Sequence, residues 1–166
     1  RGVPTAVAVA GCTRRHAETV RRALETPTFK VEVLDDMAGV ELGGALKNIY
    51  ALAAGMCDGL EYGNNNKAAL IPRALAEMVQ FGVALGAKPE TLYGLAGVGD
   101  LVVTCLGPQS RNRTFGENLG KGMSAEEIYA TTRQVAEGAK SCSSIRALAE
   151  SAGIDAPIAQ LLVRPR

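Results

Sequence analysis

A lysine, an aspartate and a short run rich in arginine are the groups in this chain best suited to chemistry. Lys47 stands beside Asn48 inside an otherwise apolar helical stretch, with Ala45, Leu46, Ile49 and Ala51 around it. Lysine is seldom buried without a partner or a task. In a dry cleft the charged form is disfavoured, and such an amine can serve as a general base near neutral pH. The same residue could instead run its alkyl stem along the apolar surface and hold its ammonium in water.

Asp100 and Thr104 are four residues apart, so on a helix they share one face. Gly94, Gly97 and Gly99 precede them and allow a turn that approaches a ligand closely. A solvated carboxylate at a helix start is the competing reading. The run Pro-Gln-Ser-Arg-Asn-Arg at 108–113 opens another helical stretch. Amides at a helix start, an arginine fork and a carboxamide suit a phosphate. The alternative is an exposed cap with two surface arginines. Gly97 and Gly99 do not complete a dinucleotide fingerprint, because Val102 stands where the third glycine is required and no strand precedes them.

These groups need a scaffold, and the chain supplies two textures. Residues 5–10 form a short apolar run ended by Gly11. A helix follows from a Thr13 cap to Leu24, with Ala17, Val20 and Leu24 on one face. Pro27 breaks it. Phe29, Val31 and Val33 then alternate with Lys30 and Glu32, the period of a strand. Residues 1–35 therefore read β-α-β, a unit too small to close a core alone.

From Asp36 the period becomes helical. A long helix carrying Val40, Leu46, Ile49, Ala53 and Met56 is expected to end near 55–59. Asn64, Asn65 and Asn66 offer caps for a second helix through Leu85, locally kinked at Pro72. Gly86 ends it, and Pro89 can open a third. Ser124 and Glu127 fit a capping box. A last helix is expected from Ser141 to Ser151, with Gly153 beyond it. The predicted fold class is mainly α, preceded by a short β-α-β remnant of a Rossmann-type sheet. The expected division is 1–35 and 36–166.

Composition narrows the functions. With 166 residues, 47% of them hydrophobic, the chain can bury a sizeable core. Its net charge of +1, without a block of basic residues, points to no nucleic-acid partner. No apolar run is long enough for membrane insertion. The start Arg-Gly-Val-Pro lacks the shape of a signal peptide. Cys12, Cys57, Cys105 and Cys142 are widely separated and His16 is the one histidine, so no metal site is expected. Free thiols packed as small hydrophobes in a reducing cytoplasm are the simplest reading.

Taken in order, four segments resemble NAD(P)-dependent glycerol-3-phosphate dehydrogenases of the bacterial type. They are the stretch 41–69 containing Ala-Leu-Lys-Asn-Ile, Gly-Leu-Ala-Gly-Val-Gly-Asp-Leu at 94–101, Ser-Arg-Asn-Arg at 110–113 and Val-Ala-Glu-Gly at 135–138. The resemblance covers about residues 2–160. It implies the helical dehydrogenase C-terminal domain and reversible reduction of dihydroxyacetone phosphate to sn-glycerol 3-phosphate, feeding glycerophospholipid synthesis. It implies Lys47 as catalytic base. Asn48, Asp100, Thr104, Ser110, Arg111 and Asn112 match substrate-binding positions, and Arg111, Val135 and Glu137 match positions bordering the cofactor. The cofactor implied is NAD or NADP, held mainly by an N-terminal half. That half's glycine-rich loop and second active-site lysine are not in this chain, so the fragment alone is expected to be inactive. A cytoplasmic enzyme acting on a small phosphorylated substrate is implied, with room for a homodimer. Two alternatives remain open: a non-catalytic phosphate-binding or dimerisation module, and a related dehydrogenase acting on a phosphorylated hydroxy acid.

Overall fold

The structure is a computed structural model, and it describes residues 2–131 and 136–161. Strand β1 (Thr5–Val9), helix α1 (Arg14–Leu24) and strand β2 (Phe29–Val33) come first. The strands pair in parallel, with Thr5 opposite Phe29 and Val9 opposite Val33. The β-α-β order expected from the period change is therefore present. Thr13 caps α1, its hydroxyl accepting the His16 amide at 3.3 Å. Of the three residues placed on one face of α1, Ala17 is buried, while Val20 and Leu24 are exposed. Among the residues of α1, Ala17 is the buried one.

Helix α2 (Met37–Gly59) is the axis of the helical body. Asp36 caps it, one carboxylate oxygen accepting the Gly39 amide at 2.9 Å, while the other accepts the Lys88 amide at 2.8 Å and ties the start of α2 to that distant segment. Around α2 pack α3 (Gly63–Ala84), α4 (Pro89–Tyr93), α5 (Asp100–Leu106), α6 (Arg111–Gly120), α8 (Glu137–Ala152) and α9 (Pro157–Leu161). α7 (Ala125–Thr131) leans on α6. The main core joins Leu46, Ile49 and Tyr50 of α2 to Met78 and Phe81 of α3, Leu92 of α4 and Leu101 of α5. A smaller cluster joins Leu52, Phe115, Ile128 and Ala136.

Helices α2 and α6 cross backbone to backbone. A Cβ on Gly55 would lie 1.9 Å from the Arg113 carbonyl oxygen, and one on Gly116 2.0 Å from that of Leu52. Gly59 and Gly120 repeat the contact four residues on. Spacing of i, i+4 puts each glycine pair on one helix face, and the absent side chains let the axes approach. This crossing brings the start of α6 beside Lys47 and Asn48.

Several boundaries differ from expectation. α3 begins at Gly63 without a side-chain cap, and the three asparagines lie inside its first turns. The chain enters it through a sharp turn in which Glu61 and Gly63 have φ of 57° and 77°, so the direction is set by backbone and not by asparagine caps. Pro72 does lie within α3. α8 begins four residues before the expected Ser141, at Glu137, and ends on left-handed Gly153. The capping box is formed: Ser124 N–H donates to Glu127 at 2.7 Å and Glu127 N–H to the Ser124 hydroxyl at 3.2 Å. Cys12 is exposed rather than packed. Cys105 and Cys142 are buried, and burial pushes their thiols up to about 12 and about 11. No described helix is long and apolar enough to cross a membrane.

Candidate functional site

Lys47 projects from the middle of α2 into an open cleft of about 280 Å³, whose far wall is the turn between α5 and α6. Asn48, Val103, Thr104, Ser110, Arg111 and Asn112 line the same cleft. Six of the residues singled out in the sequence thus share one cavity. Asp100 joins them through Lys47, whose ammonium donates to one of its carboxylate oxygens. The glycines before Asp100 explain how it arrives there. Leu95–Gly99 forms a single π-helical turn, with Gly97 pressed onto the Leu92 carbonyl and Gly43 of α2 onto that of Ala96. This wide turn presents Asp100 at the start of α5, facing α2.

Thr104 stands one turn further along α5. Its hydroxyl donates to the Asp100 carbonyl at 2.5 Å and lies 3.4 Å from the other carboxylate oxygen. The i, i+4 face expected for this pair is present, and it orients the carboxylate toward Lys47.

Ser110 is the N-cap of α6, accepting the Arg113 amide at 3.3 Å. The two arginines that follow diverge, because residues two apart point to different sides of a helix. Arg111 reaches outward with its side chain 52% exposed, and its nearest acid is Glu137 at 3.9 Å. Arg113 turns inward at 16% exposure to Asp58 and Glu117, at 2.8 and 3.1 Å. The alternative reading of the run 108–113, an exposed cap with two surface arginines, holds for Arg111 and not for Arg113. Arg111 lines the cleft with its guanidinium half-exposed, and Arg113 is held inside the protein by carboxylates.

Asn112 is buried, and its carboxamide is fully engaged. Its nitrogen donates to the Asn48 side-chain oxygen at 2.9 Å, and its oxygen accepts the Gly138 amide at 2.8 Å. Asn48 in turn donates to the Gly44 carbonyl at 3.2 Å. Two asparagines therefore lock the starts of α6 and α8 to α2 beside Lys47. Glu137, the residue before Gly138, is left at the rim next to Arg111. Val135 lies outside the described residues. Pro108 and Gln109, which open the run read as suited to a phosphate, also wall the cleft, and so do Val103 and Gly107, which the sequence did not single out. The signal for Gly107 was its place in the loop before a capped helix.

This arrangement finds its counterpart among known proteins. The sequence pattern of the "NAD-dependent glycerol-3-phosphate dehydrogenase C-terminus" family matches residues 36–164. The chain belongs to that family. Relatives named glycerol-3-phosphate dehydrogenase [NAD(P)+] include one from Trichlorobacter lovleyi, 51% identical over 159 residues, covering 96% of this chain and 48% of the relative. One from Streptomyces coelicolor is 51% identical over 161 residues, covering 97% and 48%. The crystal structure of the Coxiella burnetii glycerol-3-phosphate dehydrogenase superposes with a TM-score of 0.93 at 43% identity, over 97% of this chain and 50% of that one. The yeast enzyme from Saccharomyces cerevisiae gives 0.85 at 29% identity, over 97% and 50%. The chain spans about half the length of the relatives it matches.

Proposed function

We propose that this chain is the substrate-binding half of an NAD(P)-dependent glycerol-3-phosphate dehydrogenase, an oxidoreductase interconverting dihydroxyacetone phosphate and sn-glycerol 3-phosphate. The observation that carries the reading is the sharing of one cleft by an amine and an anion grip. Lys47 stands on one wall, and Ser110 and Arg111 on the other. A three-carbon phosphate ester spans such a gap with its phosphate at Arg111 and its C2 oxygen at Lys47. A guanidinium with a weakly held partner can turn to a phosphate at little cost, and a helix start adds unpaired amides. In alcohol oxidation Lys47 takes the C2 hydroxyl proton, and in ketone reduction it returns it. Asp100 and Thr104 hold the lysine in place for that transfer.

Arg111 and Glu137 fit a cofactor border, since both are half-exposed at the rim and only loosely paired. Bound there, NAD or NADP would exchange hydride with C2. Most of the cofactor's contacts belong to a nucleotide-binding half, to which residues 1–35 contribute its last β-α-β unit, with 36–166 forming the helical domain. The enzyme works in the cytoplasm, serves glycerophospholipid synthesis, and needs neither nucleic acid nor membrane insertion. The test is a spectrophotometric assay of nicotinamide oxidation with dihydroxyacetone phosphate. Full-length protein should turn over, and the isolated 166-residue chain should show background only. No turnover by the full-length protein, or robust turnover by the isolated chain, overturns the assignment.

A further inference from the structure

We propose that Arg113, anchored by Asp58, is a positioning residue that fixes the phosphate-gripping turn 107–111 against α2. The inference rests on the functional reading above and adds a residue that makes no contact in the cleft.

The guanidinium of Arg113 is held on three sides by protein. It donates to Asp58 of α2 at 2.8 Å, to Glu117 of its own helix at 3.1 Å and to the Gly107 carbonyl at 3.4 Å. Arg113 does not line the cleft, and its Nε and Nη1 are committed inside the protein. Its partners are the informative part. Gly107 begins the turn whose residues 107–110 wall the cleft, so the Nε contact ties that wall to α6. Asp58 lies on the helix that carries Lys47, eleven residues further along. It is also paired with Lys67 of α3 at 2.7 Å, so its carboxylate is fixed by two cations from two helices. Asp58 is 21% exposed, which leaves the cluster partly shielded from water.

The glycine crossing sets how close α2 and α6 come. It does not set how α6 rotates about its own axis, because backbone contact between small residues tolerates a turn of the helix. The Asn112–Asn48 bond fixes one point of that rotation, and the Arg113–Asp58 pair fixes a second, on the side of the helix that carries the turn at 107. A helical residue two positions before Arg113 moves with it, so the direction of Arg111 and the cap at Ser110 are set by the same contact. Loss of the pair should let the grip drift while leaving Lys47 and Asp100 in place. Such a fault weakens phosphate binding more than proton transfer.

The experiment uses full-length enzyme carrying Arg113→Gln, Arg113→Lys or Asp58→Asn, with KM and kcat for dihydroxyacetone phosphate and the Kd of inorganic phosphate. Arg113→Gln and Asp58→Asn should each raise KM and phosphate Kd by about 10-fold or more with kcat within about 3-fold, the split expected of lost positioning. Arg113→Lys, which keeps the charge facing Asp58, should recover part of the loss. An unchanged KM and phosphate Kd, or a fall in kcat proportional to lost folded protein, overturns the inference. If Arg113→Gln does not fold, Asp58→Asn decides by the same two readings. If wild-type enzyme binds phosphate but does not turn over the substrate, the functional reading fails on its own. The phosphate Kd of Asp58→Asn then still decides this one.

Discussion

Lys47 and Asp100, 53 residues apart in sequence, meet as an ion pair at the mouth of the cleft. Both are only partly exposed, at 24% and 35%. Neither residue could reach the other without the π-helical turn at 95–99, which carries Asp100 over the small surface of Gly43. Thr104 then limits the carboxylate from behind. The amine of Lys47 is thus held by one carboxylate on the wall of an open cleft.

Arg111 is expected to act on phosphate and not on fold. Its side chain is half-exposed, and its one acidic neighbour is 3.9 Å away, so little stability depends on it. Arg111→Ala should weaken phosphorylated substrate by about 2–3 kcal/mol, or roughly 30- to 150-fold, the usual cost of a charge-assisted contact. Phosphate-free dihydroxyacetone should be affected far less. Equal losses for both substrates in steady-state kinetics would mean that Arg111 only maintains the helix start.

The glycine crossing makes a prediction with an internal control. Gly55→Ala places a methyl group 1.9 Å from the Arg113 carbonyl, so the helices must part. Destabilisation of about 1–3 kcal/mol is expected from such overpacking. Gly44→Ala, on the same helix, meets nothing within 4 Å and has ordinary helical φ. It should stabilise by about 0.4–1 kcal/mol through the unfolded chain. Thermal melts of the two full-length variants should move in opposite directions, and melts that move together would refute the close-approach account.

Glu77 supplies a pH dependence. It is buried in α3, and its carboxylate accepts the amides of Ile158 and Ala159 at 3.0 and 3.1 Å, capping α9. Burial raises its pKa above the usual carboxylate value, the charge of Asp155 adds to that, and the two amides and Tyr50 pull it partly back. For an acid whose folded pKa is raised, the stabilising contribution of the proton is complete below the unfolded pKa. It is lost as pH rises through the folded value. Wild type should therefore gain melting temperature relative to Glu77→Gln on acidification from neutral pH through that value. A constant difference between the two proteins across that range would show that Glu77 does not carry the effect.

Much of the fold is legible in the sequence, and the reasons are local. The strand alternation at 29–33, the Thr13 cap, the Ser124–Glu127 box and Gly153 each depend on neighbours within four residues, so the sequence shows them directly. The start of α3 was misplaced because the turn at Glu61 and Gly63 is decided by backbone dihedrals, which composition does not display. In the cleft, Lys47 and the run 110–113 were visible as residue types out of keeping with their surroundings. The inward turn of Arg113 was not, because its partner Asp58 lies 55 residues away. Nor was the Asn48–Asn112–Gly138 chain of hydrogen bonds, which exists only once α2, α6 and α8 have packed.

The account turns on Lys47 as the proton carrier, and Lys47→Met in the full-length enzyme tests this most directly. Methionine keeps the length and apolar stem of the side chain and removes the amine. Substrate KM and melting temperature should change little. The value of kcat should fall by about 10²–10⁴, the range for a positioned acid–base group. Retention of more than about a tenth of wild-type kcat would contradict the account, since loss of such a group costs more than that.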